Sequence, residues 1–198
     1  MLKGNNLLHC ACLVGIKIDV IEFLIACGIN INQSNQRTPL HIAIKYQTNN
    51  IEILSLLLSS GADVNCKTNE TPLHYACRKK ANEDVFKLLF SYNADIHVKK
   101  GMTALHFCCR YNRDKKFIQL LIDEGSLINE PNGWTPLHFA CFYNDNNTDS
   151  IKLLIKNGAD INYKNEEIPL NYLNSNLLKD IQTFIEEMKE KTSKKMNI

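Results

Sequence analysis

The chain has 198 residues, 44% of them hydrophobic, and a formal net charge of +2. These values are typical of a folded chain and exclude the strongly acidic or basic balance of many tails and nucleic-acid-binding segments. No apolar run approaches the ~20 residues of a membrane-spanning helix, so we expect no membrane partner.

A short phrase that predicts the start of a helix recurs along the chain. Threonine is a good helix N-cap, and proline at the first helical position has a preset φ and no N–H that needs a partner. Successive copies begin 32 or 33 residues apart. In chain order they are Asn6-Leu7-Leu8-His9, Thr38-Pro39-Leu40-His41, Thr71-Pro72-Leu73-His74, Thr103-Ala104-Leu105-His106, Thr135-Pro136-Leu137-His138 and the degenerate Ile168-Pro169-Leu170-Asn171.

A second phrase recurs with the same period, and each of its copies begins ten residues before the next copy of the first phrase. Apolar runs such as Leu56-Leu57-Leu58 precede it and predict a second helix in each unit. Glycine, or asparagine in its place, suits the left-handed position that ends such a helix. The copies begin at Gly28, Gly61, Asn93, Gly125 and Gly158.

A 33-residue unit of a turn and two helices that opens on Thr-Pro-Leu-His is the pattern of ankyrin repeats. The chain resembles the ankyrin-repeat family over nearly its whole length. The resemblance implies an all-α solenoid of stacked helix-turn-helix units with short β-turn fingers. We expect one domain over residues 1–189, with repeats starting near 6, 38, 71, 103 and 135 and a C-terminal cap at 168–189. The segment 190–198 is expected to be disordered.

Four of the eight cysteines occupy one repeated position, three residues after the repeat histidine: Cys12, Cys77, Cys109 and Cys141. Equivalent positions in packed neighbouring repeats lie on the order of 10 Å apart, too far for a disulfide. We therefore expect reduced, buried thiols and a cytosolic or nuclear protein. The apolar stretch 7–16 lies in repeat register, so we expect a helix there and not a secretory signal.

The repeat histidines, each with a cysteine three residues on, raise the alternative of a metal site. Zinc needs three or four ligands within about 2.3 Å of one point, whereas each repeat offers one spaced pair. In ankyrin repeats this histidine makes structural hydrogen bonds. No phosphate loop, nucleophile elbow or zinc-binding helix motif occurs. We expect no catalytic residue, no metal and no cofactor, with a reactive thiol as the minor alternative.

Since we expect no catalytic or metal site, the functional prediction rests on surface residues. In ankyrin stacks, partners usually dock on the concave face, made by finger tips and the exposed side of the first helices. The matching positions here predict a partner-binding set: Arg37, Lys45, Tyr46, Arg78, Lys79, Met102, Arg110, Tyr111, Trp134, Phe142 and Tyr143. Tryptophan, tyrosine and arginine are enriched in binding hot spots. The alternative is that Trp134 and Phe142 pack locally and stiffen the stack.

Charge is uneven along the chain. Residues 66–116 hold eleven Lys and Arg against five Asp and Glu. We expect a monomer that binds partner proteins as an adaptor, scaffold or inhibitor, with an acidic partner favoured by the basic segment. Nucleic-acid binding through repeats three and four is the alternative, although no recognised reading motif is present.

Overall fold

The computed structural model describes residues 6–46, 50–66, 68–98, 101–111, 114–143 and 148–196, and these form pairs of short antiparallel helices. The fold class is the predicted all-α one. The helices are α1 (Leu7–Val14), α2 (Ile18–Ala26), α3 (Pro39–Tyr46), α4 (Ile51–Ser59), α5 (Pro72–Lys79), α6 (Glu83–Ser91), α7 (Ala104–Arg110), α8 (Lys115–Asp123), α9 (Pro136–Phe142), α10 (Asp149–Lys156), a 3₁₀ helix (Pro169–Tyr172) and α11 (Ser175–Met196).

The first helices begin where the recurring phrase predicts. Thr71 caps α5, because its hydroxyl accepts a hydrogen bond from the backbone N–H of His74 at 3.4 Å. Asn6 does the same for α1, since its side-chain oxygen accepts from His9 N–H at 3.3 Å. Pro72 occupies the first turn, where no intrahelical donor is required.

The second helices end at the predicted left-handed residues. Gly61 follows α4 with a φ of 93°, and Asn93 follows α6 with a φ of 60°. Asparagine tolerates this conformation better than most residues with a side chain, which explains its use in place of glycine. Two finger residues are also left-handed: Gln36 (φ 71°), two residues before Thr38, and Glu166 (φ 62°), two residues before Ile168 in the degenerate last copy. The fingers carry isolated antiparallel bridges at Asn132 with Trp134 and Asn165 with Glu167.

Repeat histidines tie their helices to the next finger at His9, His41, His106 and His138. The backbone N–H of Thr38 donates to Nδ1 of His41 at 3.2 Å, and Nε2 of His41 donates to the carbonyl oxygen of Glu70 at 2.9 Å. Since Nδ1 accepts and Nε2 donates, the ring is the neutral Nε2–H tautomer. His138 repeats the arrangement with the Glu167 carbonyl at 3.1 Å. The structural role that the family resemblance implies is therefore present.

An asparagine ladder links the second phrases of successive repeats. The amide of Asn32 donates to the Gly61 carbonyl at 2.9 Å and accepts from Asp63 N–H at 2.8 Å. Asn129 makes the same two bonds, to the Gly158 carbonyl and from Asp160 N–H. One side chain thereby satisfies two backbone groups of the following repeat.

The chain divides into two compact units, Met1–Ala104 and Leu105–Ile198. In the first, α3 packs between α1 and α5, and α4 packs between α2 and α6. In the second, α10 packs on α8, α9 and α11, and α9 packs on the 3₁₀ helix. Leucines of the recurring phrase, Leu8, Leu40 and Leu73, are buried in the first core. The single domain expected over residues 1–189 stays a prediction.

The C-terminal segment is helical as far as it is described. Residues 190–196, for which we expected disorder, lie in α11, which ends at Met196, and residues 197–198 lie outside the described residues. Glu187 and Lys191 form an exposed i,i+4 ion pair at 4.0 Å on this helix. On the buried side, Ile181 is fully enclosed, as the amphipathic pattern of a capping helix requires. None of the described helices is long and apolar enough to cross a membrane.

Candidate partner-binding surfaces

The second unit holds an aromatic cluster centred on Trp134. The Trp134 ring centroid lies 5.4 Å from Phe139, 5.2 Å from Phe142 and 4.9 Å from Tyr172 of the 3₁₀ helix. Trp134 itself is half-buried. Such pairs add to the energy of area burial, so this ring stabilises the finger and the end of α9. The local packing role left open by the sequence is observed.

Phe142 and Tyr143, at the end of α9, are the exposed part of this cluster, and we call them the aromatic surface. Phe142 is 51% exposed and Tyr143 is 37% exposed. Their rings contact each other at 4.9 Å, and Tyr143 stacks on Phe139 with an interplanar angle of 7°. The Arg110 guanidinium lies 5.8 Å from the Tyr143 ring. Two exposed rings are thus held in place by buried ones.

The first unit holds a different arrangement, in which three cations lie over one ring and a fourth is nearby. Arg37, Lys45, Arg78 and Lys79 form what we call the basic cluster, and Tyr75 is the ring beneath three of them. The guanidinium carbons of Arg37 and Arg78 lie 5.0 Å and 4.9 Å from the Tyr75 ring centroid, and Lys79 Nζ lies 5.7 Å from it. Cation–π attraction holds the charged groups over the ring despite their mutual repulsion.

Glu70 partly neutralises the basic cluster. Its Oε2 accepts from Nε and Nη2 of Arg78 at 3.0 Å and 2.7 Å. Burial lowers the pKa of Lys79, and the neighbouring Arg78, Lys45 and Arg37 lower it further. The cations therefore still repel one another, and the site has a positive potential.

Most of the predicted partner-binding residues can be placed on these two arrangements. Tyr46 is 45% exposed and lies beside Lys45, whose Nζ is 4.1 Å from the Tyr46 ring centroid. Tyr111 is half-buried against Phe107, at 6.0 Å between rings. Met102 is the exception, because it is only 9% exposed. This unbranched apolar side chain is buried and therefore offers a partner little area.

Tyr75 and Tyr172 are the residues that sequence reasoning missed. Tyr75 follows a repeat histidine, at a position that Phe107 and Phe139 fill in later repeats. This row of bulky residues could have indicated that the position makes contacts between repeats. Tyr172 follows the degenerate last phrase, and nothing in the repeat pattern points to its contact with Trp134.

The repeated cysteine position is buried, as expected. Burial raises the pKa of the Cys12 and Cys141 thiols to about 12 and raises the Cys109 pKa well above the usual value. Thiols in this state are poor nucleophiles. Cys10 and Cys27 are exposed. Among the described residues, no three His, Cys, Asp or Glu side chains converge on a point that could hold a metal ion.

Comparison with known proteins agrees with this fold. The family model for ankyrin repeats (3 copies) matches residues 7–100 and 73–165, so the chain belongs to the ankyrin-repeat family. The human ASB11 ankyrin repeat domain is similar, with a TM-score of 0.75 and 25% identity over 89% of this chain and 83% of that one. The ankyrin repeat domain of Bcl-3, a member of the IkappaB family, has a TM-score of 0.77 and 24% identity over 92% and 86%. No curated protein sequence matches the chain.

Proposed function

We propose that this chain is a non-catalytic adaptor, scaffold or inhibitor that binds proteins through its fingers and first helices. Ankyrin domains generally mediate protein–protein interaction, and this face is concave in ankyrin stacks. The repeated buried thiols fit a cytosolic or nuclear location, where thiols stay reduced.

The aromatic surface is the observation that carries this proposal. Phe142 and Tyr143 are exposed at 51% and 37%, yet their rings are packed against each other. Their support by Trp134 and Phe139 lowers the ordering cost of binding, since the rings are already positioned. Arg110 beside Tyr143 adds a cation to a site rich in hot-spot residue types.

Affinity capture from a native cell extract tests the proposal. The variant Phe142→Ala/Tyr143→Ala removes both exposed rings but keeps Trp134, whose loss would disturb the packed cluster. Leu127→Ala is the matched control, because Leu127 is a 55% exposed apolar side chain in the same unit. We expect proteins retained by wild type and by the control to be lost by the double variant, after circular dichroism shows that all three are folded.

Equal retention by all three proteins would refute the aromatic surface as the binding site. Nucleic acid recovered in place of protein, with steep loss at high salt, would favour the alternative function. Three cations of the basic segment form ion pairs, which reduces the positive charge that a nucleic acid could meet. Arg78 pairs with Glu70, Lys87 with Glu83 and Lys115 with Asp149.

A further inference from the structure

A small polar cavity lies where the fingers before α3 and α5 meet. Its volume is about 130 Å³, and its walls include Arg37, His41, Glu70, Tyr75 and Arg78. The cavity opens beside the basic cluster. Its lining is dominated by groups that donate hydrogen bonds or carry positive charge.

Tyr75 contributes a hydrogen-bonding group that the fold does not use. The side chain has no exposed area, and its hydroxyl is buried without a hydrogen-bond partner in the described structure. Buried hydroxyls are normally satisfied, so this one needs an explanation. By contrast, the neighbouring His41 is fully engaged, because its Nε2 donates to the Glu70 carbonyl at 2.9 Å.

Arg37 is the accessible cation of the cavity. Its side chain is exposed on the finger tip, and its guanidinium lies over the Tyr75 ring. Among the described residues, no carboxylate pairs with it. Glu70, already bound to Arg78 through two hydrogen bonds, shows within the same cavity how a carboxylate fits an arginine there.

We propose that this cavity binds the carboxylate of an acidic side chain in an extended segment of a partner protein. The inference rests on the proposed function and specifies the chemistry of one contact between the chain and its partner. The incoming carboxylate pairs with Arg37, draws that side chain off the ring and accepts a hydrogen bond from the Tyr75 hydroxyl. Lys45 and Lys79 attract the acidic segment, since four cations here face the single carboxylate of Glu70.

The precedent for a bound anion at this cavity is a carboxylate, because Glu70 already pairs with Arg78 through two hydrogen bonds. A guanidinium pairs with carboxylates and with phosphates through the same two donors, so competition with inorganic phosphate tests the assignment. Phosphate binding is therefore an outcome that would count against the proposal.

Fluorescence anisotropy with the full chain tests it, using labelled hexaglutamate as the probe and hexaglutamine as its uncharged control. Ionic strength near physiological screens attraction between distant exposed charges. We expect hexaglutamate alone to bind. Arg37→Gln should weaken binding by about tenfold, the usual effect of losing a charge-assisted pair. Lys17→Gln is the matched control, because it removes one exposed positive charge from the same unit.

Tyr75→Phe is the decisive variant. The hydroxyl makes no hydrogen bond within the fold, so its removal should leave the melting temperature unchanged or higher while weakening hexaglutamate binding about threefold. Equal weakening by Arg37→Gln and Lys17→Gln, or no effect of Tyr75→Phe, would overturn the proposal. So would binding of hexaglutamine, or displacement of hexaglutamate by inorganic phosphate or single-stranded oligonucleotide at lower concentration. If partner capture still depends on Phe142 and Tyr143 in that case, the cavity is refuted and the proposed function stands.

Discussion

The neutral, buried His41 makes the stability of the first unit depend on pH. Burial lowers the pKa of His41 from 6.5 to about 4, because the ring is enclosed and its Nδ1 faces a backbone N–H. The unfolded chain binds a proton at this residue below about pH 6.5, whereas the folded chain stays neutral. The unfolded state therefore binds more protons, so stability falls as pH is lowered between about 6.5 and 4.

The size of the effect follows from this difference in pKa. At one pKa unit per 1.36 kcal/mol, acidification from pH 7 to pH 5 should cost about 2 kcal/mol at this one residue. Urea unfolding monitored by far-ultraviolet circular dichroism at both pH values measures it. His41→Gln removes the titrating ring and should lose about 2 kcal/mol less than wild type over the same interval. Other histidines titrate in both proteins, so their contributions cancel.

His97→Gln is the matched control, because His97 is exposed and its side chain lies outside the ring-to-finger arrangement. It should show the same loss of stability as wild type. An equal loss in wild type and His41→Gln would refute the reasoning. It would mean that His41 does not stay neutral in the folded chain.

Three further predictions concern the ladder, the thiols and the aromatic cluster. Asn129→Ala removes both ladder bonds and should cost about 1 kcal/mol in urea unfolding, whereas Asn162→Ala, at the same phrase position after the last link, should change it little. Alkylation followed by mass spectrometry should modify exposed Cys27 quickly and buried Cys109 only after unfolding. Trp134→Ala should destabilise the chain by about 2 kcal/mol in thermal unfolding, because it removes a half-buried ring and its contacts with three other aromatic rings.

Each of these predictions has a result that contradicts it. Equal destabilisation by Asn129→Ala and Asn162→Ala would mean that the ladder contributes nothing specific. Rapid alkylation of Cys109 in the folded chain would contradict its burial, and a Trp134→Ala variant as stable as wild type would leave the cluster without a structural role.

Much of the fold could be predicted because its signals are local. Threonine and proline specify helix starts, and glycine or asparagine specifies helix ends, through the conformations that these residues favour. Thr71 and Asn93 behave as predicted for those reasons. The sequence did not indicate that residues 190–196 would continue α11, because they lack the strong apolar pattern by which the earlier part of that helix was recognised.

The candidate sites were only partly predictable. The exposed aromatic residues Phe142 and Tyr143 follow from helix geometry and repeat register. The burial of Met102 could not be predicted in this way, since burial depends on the surroundings of a side chain and not on its position in the phrase alone. The basic cluster was also missed as a unit, because its cations come from two repeats and its centre, Tyr75, is not charged.

The sequence by itself determined the repeat length, the helix pairs and the repeated cysteine position, whereas the role of the histidine that joins helix to finger was implied by the resemblance to ankyrin repeats. The first three depend on residues within one 33-residue unit, where spacing and backbone preference are enough. Only the tertiary structure decided that Arg37 lies over Tyr75 and that Trp134 contacts Tyr172. Those contacts join side chains of different repeats, and they depend on how each finger turns, including the left-handed Gln36 and Glu166, whose residue types do not indicate that conformation.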